Sequence, residues 1–192
     1  VAEGSTVLDL GCGDGTLLAL LREKRRAAGM GVDVSLENLI QCNLRHISVF
    51  QCDLDDGLSM IPDDTYDYAI LSETLQEVHR PEIVVREMLR VAREGILSFP
   101  NLGNWRYRAR LALTGREPSV SPLDFGRLHG ADFHLFSLAD FELFCARLGI
   151  QIVETVCIPR GILDRMAVRL GMRNLGSRRV VVRIARRGTH GI

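Results

Sequence analysis

Near the start of the chain, Val7-Leu8-Asp9-Leu10-Gly11-Cys12-Gly13-Asp14-Gly15 joins an acid to alternating glycines. Glycine lets a backbone approach a ligand closely, because no Cβ intervenes. Placed between a strand and a helix, such a loop lies where an open α/β sheet holds its ligands. A dinucleotide loop reads G-x-G-x-x-G and aims a helix N-terminus at a pyrophosphate. This loop reads G-x-G-x-G after Asp9, with Cys12 between its first two glycines. A carboxylate beside the ligand suits a cationic amino-acid group better than a pyrophosphate.

Two further acids end the next two candidate strands. Asp33 lies about 20 residues past the loop, at the distance where a carboxylate accepts hydrogen bonds from ribose hydroxyls. NAD and S-adenosylmethionine (SAM) share that ribose, so Asp33 alone does not choose between them. Asp53, in Gln51-Cys52-Asp53-Leu54-Asp55, can accept from an adenine amino group while Leu54 packs on the ring. Each acid has a plain structural reading: Asp9 as a strand-end acceptor, Asp33 as a turn residue, Asp53 as a helix cap. Together with the glycine loop they point to a nucleoside, and Asp9 points to SAM.

Methyl transfer from a sulfonium is an in-line displacement that needs alignment and exclusion of water. Many such sites add only a base to deprotonate the acceptor. Candidates near strand ends are Glu73, Glu77, His79, Asn101, Trp105, Tyr107, His129 and His134. Solvation in a loop is the simpler account of Glu77 and His79, core packing of His134, and a lid or core position of Trp105. Leu71-Ser72-Glu73-Thr74 lacks the Asn/Asp-Pro-Pro-aromatic signature of amino methylation, and no metal-ligand cluster is visible. No residue is assigned as catalytic.

The elements that must position these groups alternate. Strands are expected over Thr6–Leu10, 31–34, 47–52, 66–71, 95–99, Ile150–Ile158 and 179–185. Asp14 or Gly15 can cap a first helix, which Gly29 ends, and Ser35 caps a second. Pro81 opens a third helix, and Ser137 can cap another. A basic helix is expected over 162–172. Residues 101–136 show no clean period and read as an irregular insertion or lid; residues 160–192 read as a basic helix and a last strand. Strands too apolar for a wet face, alternating with helices, indicate a parallel sheet covered on both sides.

The totals fit one domain spanning residues 1–192. The chain opens on Val just before its first strand, which suggests a natural N-terminus further upstream. Zero formal net charge draws the chain toward neither nucleic acid nor an anionic membrane. Five cysteines, an odd count without CxxC, fit reduced thiols in a cytosol, so a cytoplasmic location is expected. No apolar run is long enough for a membrane span. The arginines cluster at 106–116 and again from Arg160 to Arg187. The second group has no aromatic among its arginines, so nucleic acid is disfavoured against a solvated face or a protein-partner surface.

The glycine loop and its acids resemble the class I SAM-dependent methyltransferases along nearly the whole chain. That resemblance implies a Rossmann-like, mostly parallel seven-stranded sheet with helices on both faces and an antiparallel last strand. It implies SAM contacts from Asp9, Gly11 and Gly13, with Cys12 in the same loop, to the amino-acid end. Asp33 would meet the ribose, Asp53 and Leu54 the adenine, and Ser72 would sit near the methyl-donor region. VLDLGCGDGTLL, QCDLDDGL, YDYAILSETLQEV, REMLRVAREGILSFPN and the following NWRYR are similar to the methionine biosynthesis MetW family. That family implies a role in methionine synthesis, often beside a homoserine O-acyltransferase. The remaining alternative is an active methyltransferase on a small-molecule acceptor.

Overall fold

The computed structural model describes residues 1–115 and 137–188. Its strands are β1 (Thr6–Leu10), β2 (Ala28–Asp33), β3 (Ser48–Gln51), β4 (Tyr66–Ser72), β5 (Ala92–Pro100), β6 (Ile150–Ile158) and β7 (Arg179–Arg186). Its helices are α1 (Thr16–Arg25), α2 (Leu36–Leu44), α3 (Pro81–Val91), α4 (Trp105–Thr114), α5 (Leu138–Leu148), α6 (Ile162–Arg169) and α7 (Arg173–Gly176). A short 3-10 turn spans Leu54–Asp56.

The strands form one sheet in the order β3-β2-β1-β4-β5-β7-β6. Pairs from β3 to β5 are parallel, and β7 runs antiparallel to both β5 and β6. The chain builds outward from β1 to β3, then crosses back to lay β4 on the other side of β1. That reversal opens a crevice at the carboxyl ends of β1 and β4, where doubly wound sheets bind ligands.

Alternation along each strand sends side chains to two apolar layers. Leu8, Leu10, Leu71, Leu97, Phe99 and Val182 meet Val85 and Met88 of α3 and Phe141 of α5 on one face. The Phe99 and Phe141 rings lie 4.9 Å apart. Val7 and Ile70 meet Leu18 of α1, Cys42 of α2 and Ile47 on the other. The helix starts follow local chemistry. Ser35 accepts from Asn38 N–H, and Ser137 and Asp140 form a reciprocal capping box.

Three expectations change. The first helix does not run to Gly29: it ends at Arg25, with Arg26 in the left-handed region at φ 52°. Gly29 instead pairs with Val7 inside β2, where a Cβ would stand 2.6 Å from Leu18 Cδ2. The segment expected to be irregular contains α4, capped by Asn104, whose side chain accepts from Arg106 N–H. The basic helix expected over 162–172 ends at Arg169, Gly171 stands at φ +82°, and α7 follows beyond the expected range.

Candidate cofactor site at the carboxyl edge

Asp9 lies within β1, beside Gly31 of β2 and Ile70 of β4. Only 1% of it is exposed, and its Oδ1 is buried without a hydrogen-bond partner. Burial first, and the nearby Asp33 charge second, push its carboxyl up to about 7. A buried carboxylate oxygen without a donor is costly, and a cation or donor brought by a ligand relieves that cost.

The loop beyond it bends through positive φ at Gly11, Gly13 and Gly15. Gly11 and Cys12 both donate to the Val32 carbonyl, at 2.8 and 2.9 Å, which ties the loop to the end of β2. A Cβ on Gly11 would come 2.5 Å from Thr74 Oγ1, so the backbone passes directly against the segment after β4. Gly13 has nothing within 4 Å of its Cβ position, so that stretch of backbone faces open space.

Asp33 closes the arrangement. Its Oδ2 accepts from Gly13 N–H at 2.8 Å, and its Oδ1 accepts from Ser35 N–H at 2.8 Å and Asn38 Nδ2 at 3.1 Å. Its carboxylate thus holds the glycine loop and the start of α2 together; two donors occupy Oδ1, and Oδ2, with one, retains a lone pair for a hydroxyl donor.

The remaining expected contacts divide. Cys12 turns its thiol inward: its Sγ lies 3.8 Å from Cys42 Sγ, and burial raises its pKa. Only its backbone belongs to the loop's open side. Asp53 is exposed and caps the 3-10 turn through Asp55 N–H at 2.9 Å. Leu54 is buried in the core layer. Ser72 ends β4 and its Oγ lies 3.0 Å from Ser98 Oγ. Both serines border a cavity of about 580 Å³, also lined by Tyr68, Ile70, Ile96 and Val181.

Most other candidates are held structurally. His79 and Arg80 donate their N–H groups to Asp55, which fastens the 79–80 loop to the 3-10 turn. Glu73 stands at φ +59° and pairs with Arg179 at 2.6 Å. Asn101 is fully buried and satisfied. Its Nδ2 donates to the Asn174 and Ser177 carbonyls, and its Oδ1 accepts from Gly103 and Leu138 N–H. Trp105 donates to Asp164 at 2.7 Å, and the Tyr107 ring lies 6.0 Å from the Arg178 guanidinium carbon. His129, His134 and Arg116 lie outside the described residues. Sequence reasoning passed over Gln76, a buried side chain in the segment after β4 whose Oε1 has no partner, and Thr74 against Gly11. Both sit in a loop without periodicity, where no sequence pattern distinguishes them.

A mostly parallel sheet in this order, its last strand reversed and a glycine loop at the switch point, defines a Rossmann-like class I methyltransferase fold. An S-adenosylmethionine-dependent methyltransferase from Mesorhizobium loti matches it with a TM-score of 0.70 at 19% identity, over 96% of this chain and 92% of that one. A SAM-dependent methyltransferase from Methanosarcina mazei matches with a TM-score of 0.65 at 16% identity, over 97% and 94%. Within that class the chain belongs to the MetW family, methionine biosynthesis protein MetW, whose model matches residues 1–184. A bifunctional methionine biosynthesis protein MetXA/MetW from Rhodopirellula baltica is 38% identical over 165 residues. That match takes in 81% of this chain and 26% of the relative, so the chain spans about a quarter of that protein's length.

Proposed function

We propose that the chain binds SAM at this carboxyl edge and acts in methionine biosynthesis as the partner of a homoserine O-acyltransferase. The observation that carries the SAM reading is Asp9: a buried carboxylate with an unpartnered oxygen, next to a glycine backbone that faces open space. Asp9 and the Gly11–Gly13 backbone would hold the amino-acid end, Asp33 the ribose, and Asp53 the adenine. SAM, when bound, supplies an electrophilic methyl group on a sulfonium. The chain's residues orient that group and exclude water.

Partnership with the acyltransferase draws on the MetXA/MetW fusion named in the Rhodopirellula baltica relative. SAM lies downstream of methionine, so a SAM-filled site can report supply by favouring one of two states of the pair. An active methyltransferase is the second reading. The Ser72–Ser98 pair on the wall of the 580 Å³ cavity supports it, because a small acceptor would fit there.

Calorimetric titration with SAM, its demethylated product and NAD tests the site. SAM at about 100 times its Kd should add roughly 2.7 kcal/mol of stability, while NAD leaves the melting temperature unchanged. Asp33→Ala should remove most of the SAM shift; an undiminished shift removes Asp33 from the site. Addition of a homoserine acyltransferase tests the partnership, and no association at micromolar concentrations would refute it. Conversion of SAM to its demethylated product in cell extract would favour the second reading.

A further inference from the structure

Helix α6 is built inside out. An α-helix turns about 100° per residue, so Ile162, Leu163 and Met166, with Leu170 just past the last turn, share one sector along its length. That sector faces solvent: the four residues are 77%, 60%, 53% and 72% exposed. The sector turned to the protein contains Asp164, which is fully buried, beside the small Ala167. The helix thus hides its acid and displays its aliphatic side chains, against the usual amphipathic arrangement.

Asp164 is held inward by specific donors. Trp105 Nε1 lies 2.7 Å from its Oδ1, and the N–H groups of Arg160 and Gly161 reach its Oδ2 at 3.2 Å. Burial opposes its charge, but these donors outweigh it and keep the carboxyl below its ordinary range. This anchor fixes the rotation of α6, so the aliphatic sector cannot roll inward without breaking it.

Arg165 and Arg169 form the third sector, next to Ile162 and Met166. Among the described residues neither is in an ion pair, whereas Arg179 and Arg183 both are. An exposed aliphatic strip flanked by uncompensated guanidinium groups is incomplete as a monomer surface. Arginine beside a central apolar anchor is the composition of protein interfaces, and its planar fork matches carboxylates.

We propose that this face of α6 is the docking surface for a protein partner carrying an apolar ridge rimmed by carboxylates. Charge complementarity selects that occupant. A second copy of this chain would bring arginines toward arginines at the same strip. A membrane is disfavoured because the arginines flank only one side of the strip and the chain has zero formal net charge. Naming the partner as the homoserine O-acyltransferase rests on the partnership reading above.

The test titrates the acyltransferase of the same organism with wild-type protein, Leu163→Ser/Met166→Ser and Arg165→Glu/Arg169→Glu. Melting temperature and circular dichroism serve as folding controls for these exposed positions. Each double variant should bind at least ten-fold more weakly with its fold intact, and the arginine pair should account for most of the salt dependence. Wild-type binding that both variants match would overturn the surface and leave the partnership standing. No binding by the wild type would overturn the partnership reading and this assignment with it. Sedimentation of the wild type with phosphatidylserine vesicles, or a dimer that the variants dissolve, would overturn it in favour of the other occupants.

Discussion

Asp9 makes a prediction with a definite sign. Its carboxyl is raised to about 7 in the folded chain from 3.8 in a free one. Below about pH 4 it is protonated in both states and costs nothing; above about pH 7 it is charged in both, and the folded state carries the full burial penalty. Folding stability therefore falls as pH rises between those limits. Asp9→Asn lacks the charge, so its stability relative to wild type should rise by roughly 2–3 kcal/mol between about pH 5 and about pH 8. Denaturant titrations of both proteins at each pH measure it. A gap independent of pH would mean that Asp9 stays charged throughout. A bound cation reverses the shift, so SAM binding should release up to one proton near neutrality and tighten with rising pH. Calorimetry in buffers of different ionisation enthalpy reads that proton directly. Two glycines separate folding from binding at the same scale. Gly11→Ala places a Cβ 2.5 Å from Thr74 Oγ1 and should lose roughly 1–3 kcal/mol of stability. Gly13→Ala meets no protein atom within 4 Å, so it should cost about 1–2 kcal/mol for its left-handed backbone alone yet still abolish SAM binding.

At the scale of elements, what was legible in the sequence was whatever is decided locally. Ser35, Pro81 and Ser137 act on backbone within one turn, so their helices begin where their side chains say. The acid-and-glycine loop was legible for the same reason, since the bend and the close approach are properties of its own residues. Helix α4 was not. Trp105-Arg106-Tyr107-Arg108-Ala109-Arg110 alternates arginine with other residues, as a half-wet strand would, and none of the helix is fully buried. Its anchor is tertiary: Trp105 to Asp164, 59 residues away. Asn101 likewise looks like a site residue in sequence, yet its amide is spent on carbonyls more than 70 residues distant. Gln76 escaped notice because burial in a loop leaves no periodic trace. The α4 anchor is testable. Trp105→Phe keeps the ring's bulk but removes a hydrogen bond to a buried charge, and should cost about 1.5–3 kcal/mol. A urea midpoint lowered at constant slope would confirm it, and an unchanged midpoint would mean that solvent replaces the indole N–H.

At the scale of the whole molecule, the sheet is a single wall with a separate apolar layer on each side, and the cysteines report on both. Cys12 and Cys42 lie in the layer beneath α1 and α2, Cys145 in the layer beneath α3 and α5, and Cys52 and Cys157 are only half-buried. Burial raises the pKa of Cys12, Cys42 and Cys145, so their thiols stay protonated and unreactive at neutral pH. Burial and the nearby Asp56 and Asp53 raise Cys52 as well, so native protein exposed to a thiol reagent should label readily at Cys157, slowly at Cys52 and not at the three buried thiols. The informative step is denaturation. We propose that the chain forms one cooperative domain, because both layers share the same strands and neither can be exposed while the sheet persists. Cys145 should then become reactive at the same urea concentration as Cys12 and Cys42. If Cys145 labels at a lower concentration, the half of the sheet from β5 to β6 melts as its own unit, and a single unfolding free energy no longer describes the protein.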